Sequence, residues 1–314
     1  MDYAIIRQHP TQFLSLTSVL PEEFDLLLPH FETYWERYYR YHTLEGNKRR
    51  MVSYHEHGNA KLRGTPTKLF FLLVYLKTNS LQQHQAASFG VSQSKVSRMA
   101  HVLLDIFNQT LKSLSMNPVR DGSELAAQLA AHSGKVFTYD GIERPIQRNS
   151  DGAAQEQEYS GKKKGHRLKN NLLCDQMRLV LYLSPTEPGS THDKAIADLY
   201  PIELPDGSVL RQDLGFLGHR PQGVSIEQPF KKPKVGELTF TQKLYNQMLA
   251  STRVVVEHTN SGVKRLRIIK DTLRIHGSDF RDGVMLAACA LHNFRTFFRA
   301  WLACAYAMLF LISA

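Results

Sequence analysis

The feature that most limits the fold of this chain is a change of texture near Gly134. Up to about His132 the apolar residues recur at helical spacing. Beyond it they gather into short runs separated by polar loops. Lys135–Tyr139 is a β-rich run that ends at Asp140. Leu168–Cys174, Leu179–Leu183 and Ser208–Gln212 are further short strands, and Gly223–Ile226 is a fifth. Ser190–Leu199 reads as a helix capped by Ser190 or Thr191, and helices resume near Thr241. Strands interrupted and followed by helices specify a mixed α/β plan. The expected organisation is a helical region over 1–133, an α/β domain over 134–299 and an apolar tail over 300–314. The tail, AWLACAYAMLFLISA, carries no charge. It is shorter than the roughly 20 residues that span a bilayer, so it reads as a buried closing helix.

In the helical region, Leu20-Pro21-Glu22-Glu23-Phe24 places proline at a first turn with acids behind it, which starts a helix. Asn47-Lys48-Arg49-Arg50 is a basic patch that reads as a solvated loop. Thr65-Pro66-Thr67 opens an apolar helix through Leu69, Phe70, Leu73 and Leu76. Within Gln82–Arg98, Ala86 supplies the small residue where two helices cross. Gly90 supplies a positive φ for the turn, and Val96 anchors the second helix. Ser92 is a suitable cap for that second helix. The expectation is a helix-turn-helix within about 65–107. Its outward face carries Gln93, Ser94, Ser97 and Arg98, which can reach bases or phosphates.

Composition narrows the partners. The chain has 314 residues and a formal net charge of +10. A cationic excess of this size favours a polyanion, because each neutralised phosphate releases counterions. Cys174, Cys289 and Cys304 are odd in number and far apart. They form neither a disulfide framework nor a metal-type spacing, which points to a reducing compartment. The N-terminus carries no signal-peptide pattern.

Asp140 and Asp213 each sit at the end of an expected strand, where carboxylates lie at the rim of a sheet and sites form. An aspartate there also commonly just begins a turn. Glu257 lies in Arg253–Lys264. At helical pitch it falls about 40° from Arg253, and Lys264 about 20° from Arg253, so all three share a face. A carboxylate flanked by cations suits metal and phosphate binding together, and a surface ion-pair ladder is the alternative. Lys162, Lys163, Lys164, Arg167 and Lys169 form a cationic hairpin suited to tracking phosphates, or a solvated turn.

Taken in order, these blocks resemble a known family. Tyr139-Asp140-Gly141-Ile142-Glu143-Arg144-Pro145-Ile146, then Tyr159-Ser160-Gly161-Lys162-Lys163-Lys164 with His166 and Lys169, resemble the bacterial insertion-sequence transposases of the DDE superfamily. The branch is the one related to Harbinger-type elements. Leu183-Ser184-Pro185 with Pro188-Gly189-Ser190-Thr191-His192-Asp193 is similar to the family's next block. Asp213-Leu214-Gly215-Phe216-Leu217-Gly218 is similar to its second aspartate block, and Arg253, Glu257 and Lys264 to its Arg–Glu–Lys signature. Three departures stand out. Ala250 replaces the expected Tyr, Leu214 and Phe216 replace the usual Lys and Tyr, and the apolar tail has no counterpart.

The resemblance implies an RNase H-like catalytic core preceded by a helix-turn-helix domain. It implies a DNA endonuclease and strand transferase in which Asp140, Asp213 and Glu257 hold two Mg²⁺ (or Mn²⁺) ions, with Asp193 as the reserve second aspartate. Arg253 and Lys264 would hold the DNA backbone. The implied partners are the terminal inverted repeats, target DNA and further copies of the chain in a synaptic complex. No membrane partner is expected, and the implied setting is a prokaryotic cytoplasm beside the nucleoid. A domesticated or decayed transposase that binds DNA without cutting it is the alternative, and a ribosomal-type structural binder a more distant one.

Overall fold

In the computed structural model, residues 1–56, 58, 60–130 and 135–312 are described, those from 301 onward as helical backbone only. They divide into two compact units. Met1–Asn117 with Lys264–Ala314 form one, and Pro118–Val263 the other.

The first unit is helical: α1 (Tyr3–Arg7), α2 (Pro10–Thr17), α3 (Pro21–Tyr41), α4 (Thr65–Thr78), α5 (Gln82–Phe89) and α6 (Gln93–Ser113). α4 is apolar on every side and is buried throughout Leu69–Leu76, as a central helix must be. Around it, the Phe13 ring packs on Phe24 and Phe70 at 5.4 and 5.7 Å. The helix-turn-helix forms as expected. Gly90 ends α5 in the left-handed region at φ 64°, and the Val91 N–H bonds back to the Ala86 carbonyl at 3.0 Å. Ser92 Oγ accepts from the Lys95 N–H and starts α6, while Val96 is fully buried.

The second unit holds, in chain order, α7 (Gly122–Leu129), β1 (Val136–Pro145), α8 (Gly152–Glu158), β2 (Tyr159–Ser160), β3 (Gly165–Cys174), β4 (Val180–Leu183), β5 (Glu187–Pro188), α9 (Asp193–Leu199), β6 (Val209–Gln212), β7 (Ser225–Glu227), α10 (Phe240–Thr252) and α11 (Val254–Val263). The sheet is mixed, with order β2-β3-β1-β6-β7, and both β4 and β5 pair with β3. β1 runs antiparallel to β3 and parallel to β6. This mixed sheet with helices is the α/β core the sequence called for. One face packs Phe137, Tyr139, Leu173, Tyr182 and Leu210 against Leu125 and Leu129 of α7 and Ala197 of α9. α11 lies against β1 on the other face, where Asn260 meets Asp140.

The chain then returns to the helical unit as α12 (Arg267–Lys270) and α13 (Ser278–Ile312). Asn108 of α6 donates to the Gly283 carbonyl of α13 at 3.1 Å, and Arg299 of α13 pairs with Glu23 of α3. Residues 300–312 continue α13 as backbone. No helix among the described residues is long and apolar enough to cross a membrane.

Three local expectations shift. The compact units part at 117 and 263 rather than at 133 and 299, because Val119 pairs with β4 and α13 packs on α6. β1 does not stop at Tyr139; its antiparallel pairing with β3 carries it through Pro145, so Asp140 lies mid-strand. α9 begins at Asp193 behind His192, not at Ser190 or Thr191. The first helical hydrogen bond runs from the Ile196 N–H to the His192 carbonyl.

Candidate active site

Strand register builds the site. β1 and β6 pair in parallel from Val136↔Val209 to Tyr139↔Gln212. One residue further, where the pairing stops, Asp140 and Asp213 stand side by side. Neighbouring strands lie about 4.8 Å apart, so two carboxylates 73 positions apart in sequence become lateral neighbours. The end of β6 is held from the core face. The Phe216 ring packs 4.7 Å from Tyr139, and the Gln212 amide donates to the His219 carbonyl at 3.0 Å. Asp213 Oδ1 accepts from the Gly215 N–H at 2.7 Å, capping a short 3₁₀ turn over Leu214–Phe216.

A third carboxylate arrives from α9. A Cβ at Gly141 would sit 2.5 Å from Asp193 Oδ1, and one at Gly215 would sit 2.6 Å from Asp193 Oδ2 and 2.8 Å from Asp213 Oδ1. Both glycines are therefore spaces that admit the Asp193 carboxylate, and Asp193 and Asp213 converge on one point. Lys169 Nζ lies 3.2 Å from Asp193 and 3.6 Å from Glu143, and donates to the Thr191 carbonyl at 2.8 Å.

Electrostatics single out Asp140. Burial pushes its carboxyl up to about 6, and the neighbouring Asp213 and Asp193 push the same way. Arg253 and a hydrogen bond from the Asn260 amide at 2.8 Å pull in the opposite direction without cancelling the rise. Asn260 Oδ1 is itself buried with no hydrogen-bond partner. Crowded, under-neutralised carboxylates beside an orphaned amide oxygen are the donor set a hard divalent cation relieves. By the chemistry of the donors, though not by their closeness, the residues fit such an ion.

The structure joins some of the expected residues and not others. Asp213, Asp193 and Arg253 all act on Asp140 within the site. Glu257 sits on α11, the helix packed against β1, but is exposed and is not among the groups that perturb Asp140. Among the described residues, no three of His, Cys, Asp and Glu gather closely enough to cage a metal. The helix expected across Arg253–Lys264 forms as α11, unbroken through Gly262; Arg253 stands just before it, its carbonyl accepting from the Glu257 N–H at 3.2 Å, and Lys264 just after it. Lys162, Lys163 and Lys164 are exposed on the turn between β2 and β3. Lys169, grouped with them in sequence, is instead buried in β3 against Glu143 and Asp193, and Arg167 is half-buried with its guanidinium 3.8 Å from Glu143. Gln93, Ser94 and Arg98 are exposed at the start of α6 and Ser97 is half-buried; Arg98 pairs with Glu45.

Asn260 and the two glycines were missed from sequence. Asn260 lies seven residues after Arg253, which is one helical face, and that spacing was the available signal.

Three comparisons bear on this geometry. A sequence profile described as DDE superfamily endonuclease matches residues 139–293, and one described as helix-turn-helix of DDE superfamily endonuclease matches residues 60–113. A protein of Microchaete diplosiphon, described as a probable transposase for insertion sequence element IS702, is 25% identical over 207 residues, covering 66% of this chain and 72% of the relative. No solved structure matches.

Proposed function

Because this chain belongs to the DDE-superfamily insertion-sequence transposases, we propose that it cuts DNA at the ends of its element and joins the freed ends to target DNA. The observation that carries the reading is the register-enforced contact of Asp140 with Asp213, whose mutual repulsion no local cation cancels.

The residues that would hold two divalent cations, Mg²⁺ or Mn²⁺, are Asp140, Asp213 and Glu257, with Asp193 in reserve for the second position. When bound, such a pair supplies an activated water or 3′-hydroxyl and stabilises the leaving oxygen. Asp140, mid-strand and half-buried, is the fixed element of the set, and Asp213 is fixed beside it by the turn it caps. Asn260 orients the Asp140 carboxylate by donating to Oδ2. Glu257 lies three residues before Asn260, roughly 4.5 Å earlier along α11, and would complete the set from that helix. Lys169 neutralises Asp193, which suits Asp193 to positioning and Asp213 to binding. Arg253 and Lys264, at the two ends of α11, would hold the DNA backbone, with Lys162, Lys163 and Lys164 tracking phosphates further along.

Gln93, Ser94, Ser97 and Arg98 would read terminal-repeat DNA in the major groove. Joining two ends requires more than one copy of the chain. As a bacterial-type insertion-sequence transposase acting on DNA, it would work beside the nucleoid of a prokaryotic cell.

The test is cleavage of DNA carrying the ends of the encoding element, with and without Mg²⁺. Asp140→Ala is expected to abolish cleavage and leave DNA affinity nearly unchanged. Equal cleavage by variant and wild type removes Asp140 from the mechanism. Tight binding with no cation-dependent cleavage by the wild type leaves the non-catalytic DNA binder as the reading that stands.

A further inference from the structure

The C-terminal half of α3 carries a face that no core covers. Its buried face is Phe31 and Trp35, but Tyr34, Tyr38 and Tyr41, spaced four and three apart, form a second stripe beside it. Tyr34 and Tyr38 are half-buried and Tyr41 is half exposed. The stripe floors a groove of about 650 Å³, within the roughly 300–1,000 Å³ of small-ligand sites.

The walls are ordered and cationic. After α3 the chain turns back on itself. His42 bridges to Lys48, the Thr43 N–H donates to the Asn47 carbonyl at 2.9 Å, and the Arg49 N–H to the Tyr41 carbonyl at 2.8 Å. Tyr38 is fixed by its hydroxyl, which donates to the Thr43 carbonyl at 2.9 Å, and by a stack on His42 with ring centroids 5.1 Å apart. Lys48 and Arg49 line the groove with Arg37, and Gln109 of α6 adds one amide. Glu45, the acid of this turn, pairs with Arg98. Arg37 and Lys48 form no ion pair among the described residues, although Asp105 of α6 and Glu45 both act on Tyr38.

We propose that this groove binds an unpaired nucleotide of single-stranded DNA. Flat aromatic faces stack any base, adjacent cations take its phosphates, and a single amide reaches a base edge. Duplex DNA has no base free to enter such a groove. An acidic peptide would use the cations but not the tyrosine faces. All of the groove's lining except Gln109 lies before the matched helix-turn-helix segment, and none of it belongs to the carboxylate site, so the inference does not depend on the catalytic reading.

The experiment is fluorescence anisotropy of a labelled dT₁₂ single strand, and of a 12-base-pair duplex, titrated with the full chain. Tyr34→Ala and Tyr41→Ala are each expected to weaken dT₁₂ binding about tenfold or more, with the duplex far less affected. Tyr41→Phe, which keeps the stacking face, is expected to bind like wild type. Arg37→Gln, at an exposed position, is expected to weaken dT₁₂ binding and to reduce the salt dependence by about one phosphate contact. Unchanged dT₁₂ binding in both alanine variants, an equal loss for the duplex, or competition by poly-glutamate that matches unlabelled dT₁₂ would each overturn the proposal.

Discussion

Glu23 of the helical unit and Asp140 of the sheet unit are two withdrawn carboxylates treated in opposite ways. Glu23, fully buried in the helical unit, accepts two N–H groups of Arg299 at 2.7 and 3.0 Å and the Leu20 N–H at 2.7 Å. Its charge is answered by a cation and a backbone donor. Asp140, half-buried in the sheet unit, stands beside Asp213 and Asp193, and its carboxyl rises to about 6. Arg253 and Asn260 offset the crowding only in part. A buried charge that is fully paired belongs to the scaffold, since removing one partner costs several kcal/mol. A buried acid held against like charges lowers the stability of the protein, and it persists where a function needs it.

The largest expected effect breaks the satisfied cluster. Arg299→Ala strands Glu23 and should destabilise the helical unit by about 3 kcal/mol, discounted from the fully buried case because Arg299 is about a third exposed. Chemical denaturation reads this directly, and a change under 1 kcal/mol would equate the two clusters. Next in size is the opposite substitution. A carboxyl at about 6 when folded and about 3.9 when unfolded binds its proton more tightly in the native state. The contribution of Asp140 to native stability is then least unfavourable below pH 4, worsens as pH rises through 4 to 6, and levels off above. Asp140→Asn removes that loss. The cation-free protein should gain up to about 3 kcal/mol at pH 7.5 and nothing at pH 4. A gain that does not vary with pH would refute the account.

Smaller is Gly215→Ala, which pushes a methyl group against the Asp193 and Asp213 carboxylates. It should cost about 1–2 kcal/mol, and less in an Asp193→Ala background, where one clash is gone. A double-mutant cycle measures that coupling, and strict additivity would separate the glycine from the aspartate. Smallest is Ser92→Ala, which removes one cap from α6 for about 1 kcal/mol and should leave the pH dependence at Asp140 untouched.

How much was legible follows from the range of each interaction. The helix-turn-helix was readable because its signals are local. Gly90 takes a left-handed φ, Ser92 caps the next turn, and Val96 falls on the buried face, all within seven residues. The strands were located, but β1 was cut short at Asp140, because the pairing with β3 that extends it is set by residues near 170. Asp140 and Asp213 could be named as acids near strand ends, yet nothing along the chain reveals that the parallel register makes them adjacent. Lys169 reads as one more cation of a lysine run, and only the pleat of β3 turns it inward to Glu143 and Asp193.

The sequence by itself determined the partition into a helical and an α/β part, the DNA-facing motif, the cationic excess and which acids to suspect. These depend on periodicity, capping and composition, which act over a few residues. The tertiary structure alone decided that Asn260 rather than Glu257 touches Asp140, that Gly141 and Gly215 are recesses for Asp193, and that the tyrosines of α3 line an open groove. Those facts depend on strand register and on which helix face meets which neighbour. Such relations join residues tens to more than a hundred positions apart, and they exist only once the chain has folded.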